Sequence, residues 1–187
     1  ISGQSDECIN NFEKQSAFTQ AMTTRPTAIL MRGLVSAWVS RSFDPESVTG
    51  YRNLIMAMKY DLKEALKPAL ALIEPPGGPP RLEQYAILAV GKLGSRDHVA
   101  ALMPLLDDAR PIGMADRTAR GSDTQVRDVA LAAMIHLTGQ KLDVYGFVHA
   151  KSNSWLLFNS NTLGFNDPSA RQEAIKNWRA WWDKQPK

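Results

Sequence analysis

From Tyr51 onward the apolar side chains recur at helical spacing. Tyr51, Leu54, Ile55, Met58, Leu62, Ala65, Leu66, Ala69 and Ile73 fall on one stripe at ~100° per residue, the mark of an amphipathic helix. Internal similarity divides this stretch into two helices with a bend near Tyr60-Asp61. Sliding Tyr51 onto Tyr85 places Leu54 on Leu88, Ala65 on Val99 and Leu72 on Leu106. Both segments therefore share a plan of helix, short turn and helix. Pro75-Pro76-Gly77-Gly78-Pro79-Pro80 separates them, because consecutive prolines supply no helix donors and hold the preceding residues extended.

Two further runs, Gln84 to Gly94 and Val126 to Gly139, are rich in alanine and aliphatics and end on glycine. The first leads into an amphipathic segment, Asp97 to Asp108, with Val99, Leu102, Met103 and Leu106 as its stripe. Pro104 is expected to bend that helix, since its ring crowds the carbonyl four residues back. In the second run Val126, Val129, Ala130, Ala133 and Leu137 face one way and Leu131 and Ile135 the other, which predicts a sandwiched helix. Helix pairs that cannot bury both faces alone must stack on neighbours.

Ahead of this region, Asp6 to Met22 and Ala28 to Ser40 are predicted helices, the second carrying Ile29, Leu30, Leu34, Val35 and Trp38. Asp44 and Pro45 read as the cap and first turn of the next helix. After Gly139 the periodicity lapses into a stretch rich in Asn, Ser and Gly, read as an ordered loop pinned by aromatics among Tyr145, Phe147, Trp155 and Phe158. Asp167-Pro168 opens the last helix, whose stripe is Ala174, Ile175, Trp178, Trp181 and Trp182. The predicted organisation is one domain over 1–187: N-terminal helices in 1–44, repeats in 45–139, and an irregular loop with a capping helix in 140–187.

The 187 residues, 44% hydrophobic and 22% charged, suffice for one domain with a sizeable core. The net charge of +3 is modest and basic residues alternate with acidic ones, so no block tracks a phosphate backbone and nucleic acid is not favoured. Cys8 is the only cysteine, which excludes an internal disulfide and a multi-cysteine metal site. No apolar run reaches the ~18–20 residues of a membrane span. The chain begins at Ile1 without an initiator methionine, as expected where a leader has been removed.

The units Tyr85 to Asp108 and Val126 to Gly139 resemble HEAT repeats. The wider pattern, through Leu163-Gly164-Phe165 to the Trp-rich end, is similar to a group of HEAT-like proteins found in planctomycete bacteria. This resemblance implies a short right-handed α-solenoid of HEAT-like helix pairs, all-α, with an irregular loop and a Trp-rich C-terminal capping helix. Seven to nine helices fit such an array in a chain of 187 residues. It implies binding of a partner protein and no catalytic residues, and it favours export after signal removal over a cytoplasmic location. The insertion after Asp108 and the lack of a second helix after Gly139 depart from a regular array.

The candidate chemistry is sparse. The histidines His98, His136 and His149 are scattered without metal-ligand spacing. Cys8 has no base near it in sequence, and Gly91-Lys92-Leu93-Gly94-Ser95 lacks the glycine run of a phosphate loop. Asp107, Asp108, Asp116, Asp123 and Asp128 read as caps and turn residues in preference to a calcium loop. The tryptophan stripe reads as core that closes a stack in preference to a platform for sugar rings or nucleobases. The insertion Ala109 to Thr124 exceeds the usual connection and carries Arg110, Arg117 and Arg120, with Arg127 opening the next helix.

Guanidinium groups recognise carboxylate or phosphate, so these four arginines are the expected partner contact. The expected function is a non-catalytic protein-interaction or scaffold module, with no cofactor and no metal. Two alternatives stand beside it. One is a HEAT-like enzyme, DNA-glycosylase-like or bilin-lyase-like; the other is a structural component of an envelope or secreted assembly.

Overall fold

A computed structural model describes residues 11, 14–40, 50–112 and 123–186. The fold is mainly helical. Helices α1 (Ser16–Thr23) and α2 (Thr27–Val39) pack on each other, followed by α3 (Gly50–Lys59), α4 (Leu66–Ile73) and α5 (Pro80–Leu93). The short α6 (Val99–Leu102), then α7 (Val126–Leu137) and α8 (Pro168–Trp182), follow in the described residues. No helix among the described residues is long and apolar enough to cross a membrane.

The bend expected at Tyr60-Asp61 is a helix end. Asp61 adopts the left-handed conformation at φ 52°, which Asp tolerates better than most residues. The Leu62 N–H then reaches back to the Ala57 carbonyl at 2.9 Å, satisfying a carbonyl that α3 would leave open. Helix α7 ends the same way, with Gly139 at φ 71° and the Gln140 N–H on the Ile135 carbonyl at 3.0 Å. The N-termini follow the proline and cap signals: Pro80 starts α5, and Pro168 starts α8 behind Asp167, whose Oδ1 accepts the Ser169 N–H at 2.9 Å.

Helices α5 and α7 form the centre. Ala86 to Val90 and Val129 to Ile135 are fully buried, so both helices are covered on all sides, as the two-faced pattern of α7 predicts. Helix α5 packs against α3, α4 and α7, while α7 also meets α8 and the 103–107 segment. Tyr51 on α3 and Tyr85 on α5, which occupy matching places in the internal repeat, stack with ring centroids 5.2 Å apart.

The structure departs from the pattern in three places. The segment Asp97 to Asp108 is not one bent helix. Only Val99–Leu102 is α-helical, and from Met103 to Asp107 the chain winds as a 3-10 helix. Pro104 has no N–H to donate and its ring opposes the α-helical carbonyl four residues back, so the tighter winding replaces the α turn. The late loop contains a small antiparallel hairpin, β1 (Ser152–Asn153) with β2 (Leu157–Phe158). Its aromatics pack as expected at Tyr145, Phe147 and Phe158, while Trp155 is 53% exposed at the hairpin tip, with the Lys59 ammonium 4.6 Å from its ring centroid. On α2, Ala28, Val35 and Val39 are buried, whereas Ile29, Leu30 and Leu34 are 75%, 68% and 59% exposed. The helices proposed over Asp6 to Met22 and after Asp44 lie partly outside the described residues; the first is seen as Ser16–Thr23.

Candidate functional site

The proline run that ends one helix pair and starts the next also builds a concavity. Pro75, Pro76 and Pro79 lie in the linker between α4 and α5, which bends at 74–76 in place of the extended run expected, with Gly77 at φ 116°, and Pro68, Ala71 and Leu72 from α4 face Leu82 from α5 across a groove of about 700 Å³. Two charged side chains line the groove, Lys67 and Glu83.

Glu83 is tied down. Its Oε2 accepts from Arg110 Nη2 at 2.6 Å and its Oε1 from the Gly77 N–H at 3.4 Å. Arg110 also donates from Nη1 to the Gly78 carbonyl at 2.6 Å and from Nε to Asp108 at 2.9 Å. Burial pushes the Glu83 carboxyl above its ordinary range, against the pull of Arg110. At Asp108 burial also pushes upward, but the hydrogen bonds from Arg110 outweigh it and hold the carboxyl below the usual range. The Arg110 guanidinium is raised in turn, chiefly by its bond to Asp108. Arg110 is therefore a clasp between the proline linker and the start of the insertion.

The four arginines expected to act together are placed differently. Arg110 is spent on this clasp. Arg127 lies at the first turn of α7, its Nε donating to Gln125 Oε1 at 2.6 Å, and it lines a separate polar cleft under α8. Arg117 and Arg120 lie outside the described residues. The neck of the insertion is closed by backbone bonds: Ile112 N–H to the Thr124 carbonyl at 3.1 Å and Val126 N–H to the Arg110 carbonyl at 3.0 Å. Pairing between residues so far apart in sequence, such as Arg110 with Glu83, leaves no local signal that spacing can reveal.

The remaining candidates sit in local packing. Asp128 accepts from Arg171 Nε at 2.7 Å and from the Gln125 N–H at 2.9 Å, and Asp107 accepts from Arg179 at 2.9 Å. The Gln125 N–H bond to Asp128 is the cap role the spacing favours, while the pairings with Arg171 and Arg179 join residues far apart in sequence; Asp116 and Cys8 lie outside the described residues. His98 caps its own turn through the Ser95 N–H at 3.0 Å, His136 meets Phe158 edge-on, and His149 faces the Asn166 amide. Among the described residues no three His, Cys, Asp or Glu side chains group as metal ligands.

Trp178 is fully buried and stacks on Trp182 at 5.6 Å, and the Arg96 guanidinium lies 5.2 Å above the Trp182 ring. The indoles cover one another in preference to presenting a flat platform. Comparison with protein-family models, curated proteins and solved structures gives no match.

Proposed function

We propose that this chain is a non-catalytic protein-interaction module that receives an apolar segment of a partner protein in the proline-lined groove. The observation that carries this reading is the groove itself. It has the size of a binding site, and its lining is mainly proline, alanine, leucine and glycine, with Ser40, Lys67 and Glu83 as its polar members. Both oxygens of its buried carboxylate are occupied by Gly77 and Arg110, so Glu83 is not poised to exchange a proton with a ligand. Rigid prolines also lose little entropy when a ligand orders against them.

The proposed architecture is a short right-handed solenoid of HEAT-like pairs. Support comes from the packing of α3 on α5 and of α5 on α7, and from the stacking of Tyr51 on Tyr85 at 5.2 Å. Such an array presents its connecting segments as a binding edge without catalytic groups.

Filling the groove tests the reading. Ala71 is exposed on α4, so Ala71→Trp is expected to keep the melting temperature while removing a protein that co-purifies with the natural chain in its source organism. Co-purification unchanged in Ala71→Trp sinks the groove as the contact. Turnover of a small molecule by the purified chain sinks the non-catalytic assignment.

A further inference from the structure

A second concavity, independent of the groove, lies between the end of the 3-10 segment and α8. It holds about 500 Å³ and is lined by Arg127, Lys176 and Arg179 together with Asp107, Asp183 and Gln172. Three cations face two carboxylates, and one of those carboxylates is already committed. Asp107 accepts from Arg179 at 2.9 Å, with the two side chains 77% and 40% exposed.

An exposed pair of this kind contributes little, so Arg179 can exchange Asp107 for another anion. Gln172, Lys176, Arg179 and Asp183 recur at three- and four-residue steps along α8, which places them on one face. Arg127 approaches from the opposite wall. Gln125 Oε1 accepts from its Nε at 2.6 Å, and the Gln125 backbone is tied to Asp128 at the start of α7. The guanidinium is thus tethered through Nε, with Asp108 and Asp128 close enough to act on its charge, and among the described residues its terminal nitrogens make no hydrogen bond. A partly buried, tethered arginine beside an exposed lysine matches the forked geometry of an oxyanion better than that of a cation.

We propose that this cleft binds a compact oxyanion bearing two or more negative charges, a phosphate or a polycarboxylate. Arg127 is the fixed anchor, Lys176 the closing cation, and Asp107 the internal competitor for Arg179.

Calorimetric titration of the full chain with inorganic phosphate, and separately with citrate, at constant ionic strength tests the assignment. Binding of at least one is expected below about 10 mM. Arg127→Gln and Lys176→Gln are each expected to weaken it about tenfold, whereas Asp107→Asn is expected to tighten it. Lys176 and Asp107 are both exposed, so those two variants decide the question even if Arg127→Gln fails to fold. The preferred anion distinguishes a phosphate from a carboxylate ligand. Failure of both anions to bind, or binding that Lys176→Gln and Asp107→Asn leave unchanged, overturns the proposal. Partner co-purification through the groove is unaffected by either result.

Discussion

Tyr51 and Tyr85 stack face to face, ring centroids 5.2 Å apart at an interplanar angle of 20°. The Arg81 guanidinium lies 5.0 Å above the Tyr51 ring. Tyr51 is the second residue of α3 and Tyr85 the sixth of α5, so their contact joins the two helices. Such aromatic pairs contribute about 0.5–1.5 kcal/mol beyond area burial. A double-mutant cycle of Tyr51→Leu and Tyr85→Leu, followed by urea denaturation, is expected to return a coupling in that range. A coupling near zero would mean that the helices, not the rings, set the distance.

The buried pair between Asp128 and Arg171 links α7 to α8 at 2.7 Å, and Arg171 Nη2 adds a bond to the Asp123 carbonyl at 3.1 Å. Removing one partner strands the other charge in the interior. Arg171→Met is therefore expected to destabilise the fold by about 3–5 kcal/mol. The double variant Asp128→Asn with Arg171→Met should cost clearly less than the sum of the single changes. Strict additivity in chemical denaturation would show that the two charges do not sense each other.

Acid should act on the Arg110 clasp with opposite signs at its two carboxylates. Burial raises Glu83, so the folded state holds that proton more tightly than the unfolded chain. Its contribution to stability falls as pH rises from the ordinary glutamate value of about 4.3 towards the raised one. Asp108 is lowered by Arg110 against the effect of burial. Its contribution is present above the ordinary aspartate value of about 3.9 and is lost as pH falls through the lowered one. Glu83→Gln should therefore steepen the loss of stability on acidification, and Asp108→Asn should flatten it. Unfolding free energies measured between pH 3 and 7 check both signs; identical slopes in the two variants would rule out this assignment.

Helices α5 and α7 touch at Gly91. A Cβ there would lie 3.0 Å from Ala133 Cβ and 3.0 Å from Leu157 Cδ2. The leucine tip can swing aside, but Ala133 Cβ moves only with its backbone. Gly91→Ala is expected to lose about 1–3 kcal/mol to overpacking, more than the gain of about 1 kcal/mol in helix propensity. Gly33 on α2 has nothing within 4 Å of such a Cβ, so Gly33→Ala should stabilise by up to about 1 kcal/mol. Thermal melts of the two variants should shift in opposite directions.

Much of the frame is legible along the chain because local chemistry decides it. Pro80 and Pro168 start helices, Gly139 ends one, and the two-faced apolar pattern of Val126 to Leu137 announces its burial. Elsewhere the deciding neighbour is remote. Ile29, Leu30 and Leu34 carry the spacing of a core helix, but α2 packs through Val35 and Val39 instead. The hairpin around Trp155 depends on Asn153 Oδ1 accepting the Trp155 and Leu156 N–H groups, a turn that hydropathy does not register. The groove brings residues of α4, the proline run and α5 together, and the fate of Arg110 follows from Glu83, 27 residues away in sequence.

Pro104 has a consequence for reach and angle. Five residues wound as a 3-10 helix advance about 10 Å, against about 7.5 Å for an α-helix. At three residues per turn instead of 3.6, they also turn about 100° further. Asp107 and Asp108 stand at the far end of that segment, one bonded to Arg179 and the other to Arg110. The proline thus acts as a gear between the α6 axis and two arginines, Arg110 at the proline linker and Arg179 in the cleft under α8. An α-helical continuation would draw both carboxylates back and rotate them away together. One imino acid therefore decides where two acidic side chains emerge, and through them how Arg110 and Arg179 are held.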